Sequence, residues 1–128
     1  MQMVNRSALS VRPTHAFVDW INSLEATEGE DDLTLADVEQ ESTVYLIPEM
    51  DSLEALQAYV RERYLDILEN ELQAWEEDRR YWPEPLDEAL FESLLRIEYS
   101  YMTLDLGDDD ALDSVELDDD LLLDNDEA

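Results

Sequence analysis

Two kinds of apolar spacing alternate along the chain. In residues 7–12, SALSVR, Leu9 and Val11 alternate with Ala8 and Ser10 ahead of Pro13, the period-two pattern of a short strand closed by a proline. Thr14 is a good N-cap, and Phe17, Trp20, Ile21 and Leu24 then step by three and four, which predicts an amphipathic helix. That helix runs out in residues 25–32, an acidic loop containing Gly29. Thr34 and Asp37 stand three apart like a capping box, opening a short helix with Leu35 and Val38 turned inward.

Thr43-Val-Tyr-Leu-Ile47, followed by Pro48, repeats the strand-proline plan with more β-branched and aromatic content. Asp51 is then a candidate cap, and Leu53, Leu56, Val60, Tyr64, Leu68, Leu72 and Trp75 step by three or four without a break. About 26 residues of helix make a rod of about 39 Å. Pro83 and Pro85 must end helical structure, and Leu86, Leu90, Leu94 and Ile97 open another helix. Residues 99–105 fit two descriptions: Tyr101 and Leu104 prolong the helical stripe, whereas Tyr99, Tyr101 and Thr103 alternate as in a strand. The strand is favoured, because a third strand gives the other two a stable sheet. The expected fold class is therefore α+β, a small sheet of about three short strands covered by amphipathic helices, one of them long. A mainly α chain is the alternative.

Three of these stretches share a further likeness. Arg12-Pro-Thr-His-Ala-Phe17 with Asp19-Trp20, Thr43-Val-Tyr-Leu-Ile-Pro-Glu49, and Trp82-Pro83 ahead of a Phe-containing helix together resemble a family of short uncharacterised bacterial proteins of mixed α and β structure. The resemblance spans residues 7–107. It implies an α+β fold, and because that family has no assigned activity it implies no functional residue.

Charge changes the picture most. The chain holds 36 Asp and Glu against 7 Arg and no Lys, a net charge of -29. Residues 105–128 contain twelve of the acids and no Lys, Arg or His, leaving 24 acids against 7 Arg, or -17, in residues 1–104. At 128 residues the size suits one domain. We expect residues 1–107 to form it and residues 108–128 to be an acidic, disordered tail. The negative field disfavours nucleic acid, anionic membranes and phosphate-rich ligands, and favours basic surfaces.

Several kinds of chemistry lose support at this stage. With no Cys, disulfides, thiolate nucleophiles and thiolate metal sites are excluded, and a reducing compartment, the cytoplasm, is expected. No apolar run is long enough to span a bilayer. Gly29 and Gly107 are the only glycines, so no phosphate-cradling loop exists, and no cofactor is expected. His15, the only histidine, stands four residues before Asp19, a spacing compatible with a general base but better read as a surface or capping pair. Asp108-Asp109-Asp110 and Asp118-Asp119-Asp120 lack the glycine and glutamate of an EF-hand loop. Trp20, Trp75, Tyr81 and Trp82 read as core rather than as a stacking platform, and Glu76 with Arg80 and Glu92 with Arg96 as helical ion pairs.

What survives is an interaction surface. About 30 Å of B-form duplex carries about 18 charges, and residues 1–104 carry a similar number. A chain of this kind, with its acids on one face, competes with nucleic acid for a basic groove. The expected function is a non-enzymatic acidic protein that binds a basic partner surface, in the manner of a DNA-mimic inhibitor or regulator of a nucleic-acid-binding protein. The tail acids Asp108, Asp109, Asp110, Asp113, Glu116, Asp118, Asp119, Asp120, Asp124 and Asp126 extend that surface, and the leucines among them suit a partly apolar groove. The alternatives are a housekeeping domain whose acidity serves solubility or salt adaptation, and a carboxylate enzyme using a divalent metal. The long helix or an edge strand offers a surface for a homodimer.

Overall fold

The computed structural model describes residues 1–24, 32–107 and 110–117. In order, they form β1 (Gln2–Val4), β2 (Ser7–Pro13), α1 (His15–Asn22), α2 (Leu35–Glu39), β3 (Thr43–Ile47), α3 (Leu53–Trp75), a single 3-10 turn (Arg79–Tyr81), α4 (Glu88–Leu94), β4 (Leu95–Ser100) and β5 (Thr103–Asp105). The fold class is α+β, as the apolar spacing predicts. Most of residues 25–32, the expected Gly29 loop, lies outside the described residues.

Strand β2 organises the sheet. It lies between β3 and β4 and is antiparallel to both. Its alternation is complete: Ser7, Leu9, Val11 and Pro13 are buried, while Ala8, Ser10 and Arg12 are half-exposed. Leu9 and Val11 meet Ile47 from β3, Leu56, Val60, Leu68 and Leu72 from α3, and Phe17, Val18 and Ile21 from α1 in a single core. Val38 from α2 and Phe91 and Leu94 from α4 complete it, so all four helices contribute to one side of the sheet. The tilted ring pair Tyr64 and Phe91, 5.7 Å between centroids, joins α3 to α4.

The helix starts follow side-chain chemistry. Thr14 accepts from the Phe17 amide, and its hydroxyl donates to the Ser93 carbonyl at 2.7 Å. One residue therefore caps the start of α1 and satisfies a free carbonyl at the end of α4. The capping box is present, with Thr34 Oγ1 accepting from the Asp37 amide and Asp37 Oδ2 accepting from the Thr34 amide. Ser52, one residue after the expected Asp51, caps α3 by accepting from the Ala55 amide at 3.1 Å. The helix then runs 23 residues, about 35 Å, slightly shorter than expected.

The largest departure from expectation is at the end of α4. Ile97 lies in β4, not on the helix, because residues 95–100 alternate inward and outward and β2 needs a partner along its open edge. The expected strand at residues 99–105 is divided between β4 and β5. Three residues, 5–7, on one strand face two, 101 and 102, on the other between the Val4–Thr103 and Ala8–Ser100 pairs. This is a one-residue bulge joining the β1–β5 ribbon to the larger sheet. Strand β1 adds a further chain segment that the sequence pattern does not announce.

Buried Ser7 secures the bulge. Its hydroxyl donates to the Tyr101 carbonyl at 3.0 Å and accepts from the Met50 amide at 2.9 Å. It thereby links β2, the bulge and the connection into α3. Asn22 closes the other long connection in the same manner, donating to the Leu33 carbonyl at 3.0 Å and accepting from its amide at 2.9 Å.

Candidate interaction surfaces

The acids are sorted by layer. Strands β1, β2 and β3 contain none, β4 contains only Glu98, and β5 only Asp105. Every other described acid of residues 1–107 lies on a helix, a cap or a loop. This follows from the strand pattern: the inward positions of β2 are apolar apart from Ser7, and its outward positions are Ala8, Ser10 and Arg12.

Within the helical layer, the arginines neutralise part of α3 and little else. Arg63 pairs with Asp66 and Arg79 with Glu69, each at 2.8 Å, and Arg80 pairs with Asp78 at 2.7 Å. The Arg79 guanidinium also lies 4.5 Å above the Trp82 ring. By contrast Glu84, Asp87, Glu88 and Glu92 are all exposed, and none of them takes part in the ion pairs formed among the described residues. Glu88 and Glu92 sit one turn apart on α4, a like-charge spacing that costs a few tenths of a kcal/mol.

Neither expected helical ion pair forms. Helix α3 ends at Trp75, so Arg80 meets Asp78 while Glu76 accepts from the Asp78 amide at 3.0 Å. Arg96 is a strand residue 3.9 Å from Glu98. The reading of Trp82 as core is correct: it is buried and its indole donates to the Glu76 carbonyl at 2.7 Å. Half-buried Trp20 donates to the Tyr81 carbonyl at 3.0 Å, and Tyr81 itself stands half-exposed. His15 and Asp19 are exposed on α1, and among the described residues no ion pair joins them.

On the other side of the sheet, apolar side chains of β3 reach solvent. Val44 is 63% and Leu46 49% exposed, next to Ala8 and Ser10 of β2. In the ribbon, Met3 faces Leu104, 66% and 50% exposed. This outer face carries Arg12, Arg96 and Glu98 as its charged groups.

Of the expected tail acids, Asp110, Asp113 and Glu116 are exposed and outside any helix or strand. Asp108, Asp109, Asp118, Asp119, Asp120, Asp124 and Asp126 lie outside the described residues. Residues 110–112 border a cleft of about 520 Å³ against Met3 and Val4 of β1. Leu112, Val115 and Leu117 are 68%, 88% and 66% exposed.

A buried acid on α3 was not singled out from the sequence. Glu71 is only 7% exposed and faces β3, where Tyr45 donates its hydroxyl to Glu71 Oε2 at 2.5 Å and Asn70 donates to the Tyr45 oxygen at 2.8 Å. The Thr43 side chain also hydrogen-bonds to the carboxylate. Burial pushes the Glu71 carboxyl above its ordinary range, against the hydrogen bonds from Tyr45 and Thr43. Burial and the Glu71 charge together push the Tyr45 phenol well upward. The signal was present, because Glu71 follows Leu68 by three residues and Ile67 by four and so falls on the apolar stripe of α3. The arrangement ties the edge strand to the long helix.

Among the described residues no group of three or more His, Asp or Glu side chains is arranged to hold a metal ion. No described helix is long and apolar enough to cross a membrane. No protein-family model matches the chain, and no curated protein or solved structure matches it either.

Proposed function

We propose that the protein is a non-enzymatic interaction protein whose acidic helical layer binds a basic surface on a partner, in the manner of a DNA mimic. The observation that carries this reading is the segregation of charge by layer. Strands β1 to β3 hold no acid, while exposed Glu84, Asp87, Glu88 and Glu92 stand without arginine partners among the described residues. Concentrating like charge in this way costs stability through self-repulsion and strengthens the attraction of a basic groove. Tail acids Asp110, Asp113 and Glu116 lengthen the reach of the field. The partner is a nucleic-acid-binding protein, and the absence of Cys suits action in the cytoplasm.

The test is capture of basic proteins on the immobilised full chain at 50 mM NaCl, followed by elution with duplex DNA. The fourfold variant Glu84→Gln, Asp87→Asn, Glu88→Gln and Glu92→Gln keeps the α4 cap and removes four charges. We expect DNA-displaceable binding that falls at least tenfold in the variant and is lost at 0.5 M NaCl. Binding that is indifferent to salt or to the four substitutions, or capture of no basic protein, would overturn the reading.

A further inference from the structure

The outer sheet face combines an apolar patch with a small excess of positive charge in a chain of net charge -29. Its side chains form three rows: Leu46, Ala8 and Ser100; Val44, Ser10 and Glu98; and Arg12 with Arg96. Glu98 serves both guanidiniums, at 3.1 Å from Arg12 and 3.9 Å from Arg96, so one positive charge is left over. Successive rows are two residues apart, about 6.6 Å along the strands. The apolar rows with Leu46 and Val44 therefore lie about 13 and 6.6 Å from the arginines.

The chain beyond Leu117 carries the complementary sequence. Asp118-Asp119-Asp120 precedes Leu121-Leu122-Leu123, and Asp124 and Asp126 follow. Asp119, Leu121 and Leu123 stand at successive two-residue steps, the row spacing of the face from Arg12 and Arg96 through Val44 to Leu46. The tether is long enough. Residues 110–112 already border β1, and the ten residues from Leu112 to Leu122 span up to about 35 Å. The six residues from Val4 to Ser10 cover about 20 Å of strand. The acid-rich helical layer repels this segment, whereas the outer face offers it opposite charge and apolar surface together. A tether of this length also gives the segment an effective concentration in the millimolar range at a site within reach.

We propose that residues 118–128 dock on the outer face of the β3-β2-β4 sheet of their own chain, with Leu121 on Val44, Leu123 on Leu46 and Ala8, and Asp119 on Arg12 and Arg96. The docked segment covers the apolar face that the helices leave open. This inference rests on the sheet side of the molecule and is independent of what the helical layer binds.

The chain has no cysteine, so a nitroxide attached to an Asn125→Cys variant reports from one position. The measurement is the relaxation enhancement of the methyl signals of Ala8, Val44 and Leu46 in the full-length protein at 50 mM NaCl. Expected is at least a fivefold enhancement over that at Leu56 and Leu68 on the opposite side, lost in 0.5 M NaCl. It should also be lost in Asp119→Asn/Asp120→Asn/Asp124→Asn, a variant whose changes lie in the tail, and in Arg12→Gln/Arg96→Gln. Equal enhancement on both sides of the sheet, or persistence in the tail variant, would overturn the proposal. So would enhancement that appears only when spin-labelled molecules are mixed with separate isotope-labelled ones, since it would assign the face to a second copy.

Discussion

Replacing Glu71 by glutamine removes a charge from a site that burial makes unfavourable for it, while keeping an oxygen to accept from Tyr45. An ionised carboxylate loses several kcal/mol of hydration on burial. The bonds from Tyr45 and Thr43 return about 1.5–3 kcal/mol each. The upward displacement of the Glu71 pKa shows that desolvation wins that balance. At neutral pH the charged Glu71 is therefore held at a net cost in the folded state. The sign follows from proton linkage. With its folded pKa above the unfolded value, the native state binds more protons in the interval between them. The stability Glu71 contributes is therefore complete below the unfolded pKa, and it is lost as pH rises through the folded value. Urea denaturation of wild type and Glu71→Gln, followed by tryptophan fluorescence between pH 4 and 8, isolates this effect, since the repulsion of the remaining acids is common to both. The difference should be near zero at pH 4, turn in favour of the variant as pH rises toward the folded pKa with a slope of at most about 1.4 kcal/mol per pH unit, and level off above it. A flat difference, or a variant less stable at pH 7.5, would refute the assignment of Glu71 as a charge held at a cost.

Ser7→Ala leaves the Met50 amide and Tyr101 carbonyl without their buried partner, and a loss of about 2–3 kcal/mol in urea unfolding is expected. A loss below about 0.5 kcal/mol, the low end for a single hydrogen bond, would show that the bulge does not depend on this hydroxyl. Asn22→Ala frees both polar groups of Leu33 at a half-buried site, which should cost about 1–2 kcal/mol and speed amide exchange at Leu33 above that of the α3 core. Glu92→Lys converts the like-charge spacing on α4 into an attractive one, with Glu88 one turn before the introduced ammonium, and removes an acid from the last turn of the helix. It should raise stability by about 0.5–1 kcal/mol at low salt, a gain that 1 M NaCl removes.

Local spacing carried most of the fold. The α1 and α3 stripes, the Thr34–Asp37 capping box and the two prolines beyond the long helix were legible because each depends on residues within a few positions of one another. The end of α4 was not legible, since Leu94 and Ile97 fit a helical step and Leu95, Ile97 and Tyr99 fit an alternating one. Locally the two descriptions tie, and the tie is broken by the unpaired edge of β2, a demand set some eighty residues earlier in the chain. For the candidate surfaces, the acidic excess was plain from composition but its placement was not.

By itself, then, the sequence determined the α+β class, the long helix, the absence of thiol chemistry and a net charge of -29. Only the tertiary structure decided which face each charge occupies. Strand alternation turned Arg12 and Arg96 to the uncovered side of the sheet, while helix packing left Glu84, Asp87, Glu88 and Glu92 outside the described ion pairs in the opposite layer. It also decided the fate of Glu71, an acid on an apolar stripe that is tolerable because β3 brings Tyr45 and Thr43 to it from outside the helix. Period and composition are properties of neighbouring residues and can be read along the chain. Charge segregation and the solvation of a single carboxylate depend on which distant elements meet, and that is settled when the layers pack.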